Sequence, residues 1–464
     1  MVFSSSKHTS QDLLFLLPLS LFVFLFRLGS GSLASWDEAI YASVAKEIVL
    51  SGDWLRLTLN GDLWFDKPPL VFWITALFYK IFGIHEFSAR LFSALCGAGT
   101  VLVTYFLGRQ LLNRWTGFIG ALILLTSAHF IRFSRFGMMD APLTFFMTLA
   151  FYFFWLGQNK NRYLIFSGVS IGLAVMTKGF AAFLVFPVIW VYCLSARRLE
   201  ILGRSSYWVG VIVAVLIALP WHLYELWAHE AFFMKDVVIR HLFDRTTTVL
   251  DGHAGNLYFY LRVLVNKFHP WILIGIFSAP YFLFKAIKDR EEEFIFLSVW
   301  MFLIFAIITL VRTKLAWYLL PVYPALSLSA AYFVAKIFQE NSAWVAKSVF
   351  VMILGLHVFY SHIFNHDYSR DIKGIAPAVL SRTAPAQSIY LYSYHESPAV
   401  SFYLGKKSLY LDSKEEFLKK ASESHFNCLI HENDFQAIGP SVLQRYGLTS
   451  QASFEKLHLI SKQS

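Results

Sequence analysis

Residues 141–198, APLTFFMTLAFYFFWLGQNKNRYLIFSGVSIGLAVMTKGFAAFLVFPVIWVYCLSARR, decide the fold. They hold three apolar runs, at 141–157, 163–177 and 180–195. As helices these approach the ~20 residues needed to cross bilayer hydrocarbon. The breaks are short and basic: Lys160 and Arg162, then Thr177-Lys178-Gly179, then Arg197 and Arg198. Thr177-Lys178-Gly179 reads either as a tight turn between two spans or as a kink inside one.

Outward from this block the pattern repeats. Further spans read at 12–28, 90–108, 115–133, 207–224, 270–286, 294–311, 317–336 and 345–364, about eleven in all. Of the 464 residues, 57% are hydrophobic, 15% are charged and 47 are Phe. A soluble domain carries about 25% charged residues, so the bilayer is the expected solvent for most of the chain. The formal net charge is +10. Residues 366–464 hold 11 Lys/Arg and 10 Asp/Glu, which leaves 29 and 20 to residues 1–365. The excess belongs to the apolar part, dispersed between spans and forming no stripe, which argues against nucleic acid as partner.

With the N-terminus inside, the cytoplasmic loops carry Arg109 and Arg114, Lys160 and Arg162, Arg197, Arg198 and Arg204, Lys285, Lys288 and Arg290, and Lys336 and Lys347. That satisfies the positive-inside tendency. Loops of about 29–89 and 225–269 then lie outside. They contain amphipathic stretches, Asp37–Leu50 and Pro68–Phe82, that suit helices in the interface, and they are rich in Trp and Tyr. Lys7 with the apolar run Leu13–Phe26 resembles a signal peptide, and a retained signal-anchor is the preferred reading. Cys96, Cys193 and Cys428 have no metal-ligand spacing and give no disulfide framework.

After about residue 365 the composition changes. Ser388–Tyr394, Ser408–Leu411 and Asn427–His431 read as strands and Ser413–Ser424 as a helix. The expected architecture is therefore an all-α polytopic membrane bundle, 1–365, followed by a small α/β domain, 366–464, which lies outside by parity.

Five clusters on the outer side carry groups that could do chemistry. Asp37-Glu38 follows the first span. It is either a helix N-terminus favoured by the dipole or the site of a general base that takes the proton of an attacking hydroxyl. Lys67, in Phe65-Asp66-Lys67-Pro68-Pro69, is either a snorkelling lysine or a cation that steadies a leaving phosphate. Asp140 lies close to Arg132 and Arg135, as an ion pair or a functional acid. His241–Arg245 and Arg312–Tyr318 add cations and aromatics. Together they offer what an anionic lipid headgroup needs.

The series Trp36-Asp37-Glu38 with Tyr41, Lys67-Pro68-Pro69-Leu70, Ala89-Arg90-Leu91, Met139-Asp140, Thr177-Lys178-Gly179, Lys314 and Tyr318-Leu319-Leu320-Pro321 resembles the membrane glycosyltransferases of the GT-C type, closest to the ArnT and protein O-mannosyltransferase superfamily. The likeness covers roughly residues 10–365. Glu396-Ser397-Pro398 with Ser401–Gly405 looks like the extracytoplasmic domain of bacterial members. The resemblance implies transfer of a sugar, hexose or pentose, from a polyprenyl-phosphate carrier to a hydroxyl or phosphate, usually with inversion. It implies Asp37 and Asp140 as catalytic acids. It implies Glu38, Tyr41, Lys67, Lys314 and Tyr318 on the substrate, with Arg245, or in its place Arg240, on the phosphate.

No required metal or cofactor is expected, with divalent metal left open. His222, Glu225 and His229 do not have zinc-protease spacing. The partners implied are the lipid-linked donor, a glycolipid or protein acceptor and the bilayer, here the inner membrane, with the site on its periplasmic side. Lipid A, a lipopolysaccharide core and protein all remain open as acceptors, the compact C-terminal domain favouring an envelope glycolipid. The rival function is a transporter or flippase for a lipid-linked sugar. It predicts related halves and broken midplane helices, and the sequence displays neither. A structural scaffold is a third reading, in which none of these residues matters.

Overall fold

The structure is a computed structural model that describes residues 3–34, 36–233, 248, 253–338, 344, 347, 348, 350–352, 354, 355, 367–384, 387–393, 398–423 and 426–462. The chain divides into two units. The first comprises Met1–Leu28, Phe65–Ile74 and Arg90–Phe364. The second comprises Gly29–Trp64, Thr75–Ala89 and Asn365–Ser464. The sequence reading kept 29–89 with the helical part; the contacts group 29–64 and 75–89 with the C-terminal residues.

Among the described residues, seven helical runs are long and apolar enough to cross a membrane: His8–Leu25, Glu86–Leu111, Asp140–Gly157, Arg162–Ser195, Ser205–His229, Glu292–Leu310 and Ala316–Lys336. The number becomes eight if Arg114–Thr126 and Ala128–Arg135, bent by 66°, form one span. The sequence suggests about eleven. The difference has three sources. The runs 163–177 and 180–195 continue into one another through the 3-10 turn Gly179–Leu184. The helix Ile272–Lys288 has only 17 residues. Residues 345–364 fall largely outside the described residues.

Small residues set the closest helix approach. On the helix Arg162–Lys178, Gly168 and Gly172 stand one turn apart and face Gly210 and Ala214 of the helix Ser205–Phe233. A Cβ at Gly168 would lie 2.0 Å from the Gly210 carbonyl oxygen. This is the small-residue packing that lets helices associate where lipid removes the hydrophobic drive. Elsewhere aromatic rings fill the bundle. Trp300 is fully buried, with Phe151 at 4.5 Å, and its indole N–H donates to Pro321 O at 2.8 Å.

Buried charges tie helix ends. Arg135 donates to Val23 O and Phe24 O, each at 2.9 Å, and to Phe26 O at 2.7 Å. Arg90 donates to Leu28 O at 3.1 Å. Both arginines are fully buried; Arg135 caps the end of the helix Phe3–Leu25, whose last carbonyls have no partner within the helix, and Arg90 holds the turn just beyond it. Asp12 accepts twice from Arg114, at 2.8 Å each, and once from the Tyr105 hydroxyl at 2.8 Å.

In the second unit the helix Asp37–Ser51 buries Tyr41, Val44 and Ile48, as its spacing predicts. A short hairpin follows, β1 (Thr58–Leu59) and β2 (Asp62–Leu63). It turns on Asn60 and Gly61, both at positive φ (57° and 82°), the Asn-Gly pair that two-residue hairpins favour.

The C-terminal residues form a mixed sheet of β3 (Ile389–Tyr392), β4 (Ser408–Leu411), β5 (Asn427–His431), β6 (Leu448–Phe454) and β7 (Leu457–Lys462), in the order β4-β3-β5-β7-β6. β3 runs parallel to β4 and β5, with the helices Pro398–Leu404 and Lys414–Ala421 in the crossovers. All four residues of β3 are buried, as expected of a strand covered on both faces. The small α/β domain expected from the sequence is present, with its helix opened by Ser413, whose side chain accepts from the Glu416 N–H.

Candidate active site

A cavity of ≈ 510 Å³ lies within the first unit. Its walls are Ile171 and Val175 of the helix Arg162–Lys178, Phe180 and Phe183 of the turn that follows, Val211, Ala214, Val215 and Leu219 of the helix Ser205–Phe233, and Ile307 and Ile308 of the helix Glu292–Leu310. These side chains are apolar. The polar side chains in the lining are Asp66, Lys67, Asp140, Lys178, Tyr318 and His222. An apolar groove with a small charged head suits an amphiphile whose charge sits at one end.

Each charged group has a local reason to be where it is. The helix Leu70–Phe82 begins just after Pro68-Pro69, and Lys67 precedes them. Proline fixes φ, so the approach to this helix is stiff. Lys67 is buried, 8% exposed, and its Nζ donates to Asp66 O at 2.9 Å. Asp140 is the first residue of the helix Asp140–Gly157, where the dipole favours an anion.

Lys178 ends its helix because Gly179 takes φ 54°. A Cβ on Gly179 would lie 3.9 Å from Pro68, so the turns that carry Lys67 and Lys178 are neighbours. Lys178 Nζ donates to Asp140 Oδ1 at 2.5 Å and stands 5.0 Å from the centre of the Tyr318 ring. Asp140 and Lys178 are both nearly buried, with side chains 4% and 9% exposed. Tyr318 is held in the 3-10 turn Ala316–Val322, which the Trp300–Pro321 hydrogen bond anchors.

Of the residues the sequence nominated, Lys67, Asp140 and Tyr318 line this cavity together. Asp37, Glu38 and Tyr41 belong to the second unit. There Asp37 opens its helix, partly exposed. Glu38 is 1% exposed and its Oε2 accepts the Ala34 N–H at 2.7 Å. Tyr41 packs edge-on against Trp64, with ring centres 6.2 Å apart.

Lys314 does not line the cavity. Its ammonium donates to Thr309 O at 2.6 Å and Val311 O at 2.7 Å, where it caps the helix Glu292–Leu310. Burial, with Arg312 adding to it, lowers its pKa. Arg240, His241 and Arg245 lie outside the described residues. Asp140 forms an ion pair with Lys178, while Arg135 donates to the carbonyls at the end of the helix Phe3–Leu25.

Lys178 is the residue that sequence reasoning did not nominate. Its signal is a lysine directly before a glycine at the break between two apolar runs. Among the described residues no group of three His, Cys, Asp or Glu side chains is placed to hold a metal ion. Glu225 and His229 stand 4.0 Å apart, while His222 Nδ1 is bonded to Ala218 O.

The family described as dolichyl-phosphate-mannose-protein mannosyltransferase matches residues 66–224. An uncharacterized protein of Aquifex aeolicus is 33% identical over 326 residues, which is 69% of this chain and 63% of that protein. The undecaprenyl phosphate-alpha-4-amino-4-deoxy-L-arabinose arabinosyl transferase 2 of Pseudomonas fluorescens is 31% identical over 318 residues, 66% of this chain and 54% of that one. The chain thus spans less than two thirds of the length of either curated relative. Over nearly its whole length the fold matches the crystal structure of ArnT from Cupriavidus metallidurans bound to undecaprenyl phosphate, with a TM-score of 0.81, 21% identity and 97% of each chain covered. Residues 66–224 thus carry the sequence pattern of the dolichyl-phosphate-mannose-protein mannosyltransferase family, and the chain has the fold of ArnT.

Proposed function

We propose that this protein transfers a sugar from a polyprenyl-phosphate-linked donor to a hydroxyl or phosphate of an acceptor outside the cytoplasmic membrane. The observation that carries the reading is the cavity, whose mostly apolar lining includes two lysines, an aspartate and a tyrosine on neighbouring turns. The groove suits a prenyl chain. Lys67 and Lys178 suit the phosphate, which leaves as an anion in a site largely shielded from water, where fixed cations act more strongly than in bulk. The ArnT neighbour is a structure bound to undecaprenyl phosphate, a ligand of this chemistry.

In this reaction the acceptor oxygen attacks the anomeric carbon. Its proton passes to Asp37, and the bond to phosphate oxygen breaks with the electron pair on the carrier phosphate, which inverts the carbon. Asp140 holds Lys178 beneath the Tyr318 ring, so the phosphate meets a cation already in place. The ion pair with Lys178 supports this positioning role for Asp140. Arg245 or Arg240 adds a further phosphate contact. The acceptor is an envelope glycolipid such as lipid A or lipopolysaccharide, and the site faces the periplasm. No metal takes part in the proposed step.

The test is transfer by the purified protein in nanodiscs, given a synthetic undecaprenyl-phosphate-aminoarabinose or undecaprenyl-phosphate-hexose and extracted envelope glycolipid. Mass of the product and loss of donor are followed. Glycosylated product that disappears with Lys67→Ala supports the proposal. Intact donor and unmodified acceptor across this donor panel would refute it.

A further inference from the structure

We infer that residues 367–404 position Asp37, so that the C-terminal domain is part of the transfer machinery through the short segment 31–34. This rests on the reading of Asp37 as the general base. Asp37 is the first residue of its helix, and 31–34 is the approach to it. Each of these four residues has a backbone group fixed by a side chain. Gly31 O accepts from Lys373 Nζ at 2.8 Å. Ser32 N–H donates to Asp367 Oδ1 at 3.1 Å, while its hydroxyl accepts the Ser369 N–H at 2.7 Å. Leu33 N–H donates to the Tyr403 hydroxyl at 2.8 Å. Ala34 N–H donates to Glu38, the residue beside Asp37.

The ties form a chain. Tyr403 accepts from Leu33 and donates to Glu86 Oε1 at 3.0 Å. The same oxygen takes Lys373 Nζ at 2.6 Å, and Lys373 returns to Gly31. Ser32 and Leu33 are fully buried and Glu86 nearly so. Buried backbone donors need partners, so removing the Tyr403 hydroxyl leaves the buried Leu33 N–H without the acceptor that holds it. The helix behind Asp37 is held from the same side. Lys46 Nζ donates to Phe402 O at 2.6 Å, and Ser43 Oγ to Pro398 O at 3.4 Å. The motif Ser401–Gly405, seen in the sequence and given no role there, thus grips Asp37's helix at Phe402 and its approach at Tyr403.

Tyr403 and Lys373 are positioning residues. They touch no substrate and set the place of a group that does. A shift of about 1 Å in a reacting group can cost on the order of 100-fold in rate.

The experiment compares Tyr403→Phe with Tyr390→Phe. The second variant removes a C-terminal hydroxyl bonded to Glu423, away from the segment. Amide exchange of the peptide 29–40 and steady-state transfer are both measured on the full chain. Tyr403→Phe should speed exchange of this peptide at least fivefold and lower kcat about 10- to 100-fold with donor KM within twofold. Tyr390→Phe should leave both at wild-type values. Lys373→Arg should retain more kcat than Lys373→Ala. Unchanged exchange in Tyr403→Phe, or equal losses in Tyr403→Phe and Tyr390→Phe, overturns the inference. Asp37→Asn is assayed alongside. If it transfers at the wild-type rate, the base assignment fails, and the exchange result still decides whether Tyr403 holds the segment.

Discussion

Adding one methyl group at Gly168 should damage both the fold and the cavity. The new Cβ would lie 2.0 Å from Gly210 O, 2.4 Å from its carbonyl carbon and 2.5 Å from its Cα. All three are backbone atoms, so no side-chain rotation relieves the clash. To reach the 3.4 Å of an ordinary contact, the two helices must part by about 1.4 Å in an interior packed as densely as a crystal. Overpacking of this kind costs about 1–3 kcal/mol. The same helices supply Ile171, Val175, Val211 and Ala214 to the cavity wall, so parting them moves the wall. Gly168→Ala should therefore lower the thermal midpoint by several degrees and transfer by about 10-fold or more. The comparison is Gly203→Ala, whose nearest neighbour would be Glu200 O at 3.5 Å, an ordinary contact. Differential scanning fluorimetry in nanodiscs and the donor assay measure the two effects. A Gly168→Ala protein that melts and transfers like Gly203→Ala would show that the close helix approach is not what shapes the cavity.

Three other outcomes follow from particular contacts. Lys178→Ala should cut transfer at least 100-fold, whereas Asp140→Asn, which leaves Lys178 present and unanchored, should cut it less; similar losses in both would contradict a positioning role for Asp140. Arg135→Met should leave the carbonyls of Val23, Phe24 and Phe26 without their donor, at a cost of about 1–3 kcal/mol for each unsatisfied group, seen as loss of folded protein on size-exclusion chromatography after mild heating. The hydrogen bond from His458 holds the Glu432 carboxyl below its ordinary pKa of 4.5, so its stabilisation is complete above that value and disappears as the pH falls through the lowered one; Glu432→Gln should lower the melting temperature at pH 7, and the difference from wild type should shrink steadily as the pH is taken below 4.5.

The parts legible in the sequence are those encoded by local pattern. Ser408–Leu411 and Asn427–His431 form strands with those ends, and the helix read over Ser413–Ser424 forms over Lys414–Ala421. The strands β6 and β7 escaped notice because Glu455-Lys456 turns the hairpin. Glu455 takes φ 52° without the Asn or Gly that usually announces such a turn.

Residue partners were harder to read. Asp140 lies close in sequence to Arg132 and Arg135, yet its cation comes from Lys178, 38 residues away. Arg135 instead serves carbonyls more than 100 positions earlier. A backbone carbonyl looks the same in every residue, so a side chain whose duty is to cap a distant helix leaves no compositional trace. The glycines at 168 and 172 carry a spacing that sequence can display, but which helix they face emerges only from the packed bundle.

The groove wall of valine, leucine, isoleucine and phenylalanine changes the unit in which donor should be counted. A ligand that enters through such a wall partitions first into the surrounding lipid, so its effective concentration is a mole fraction in the bilayer. Diluting the vesicles with inert phospholipid at constant donor per volume should then slow the protein, while adding buffer should not. Saturation curves plotted per litre would differ between laboratories using different lipid loads, and would coincide when plotted per lipid molecule.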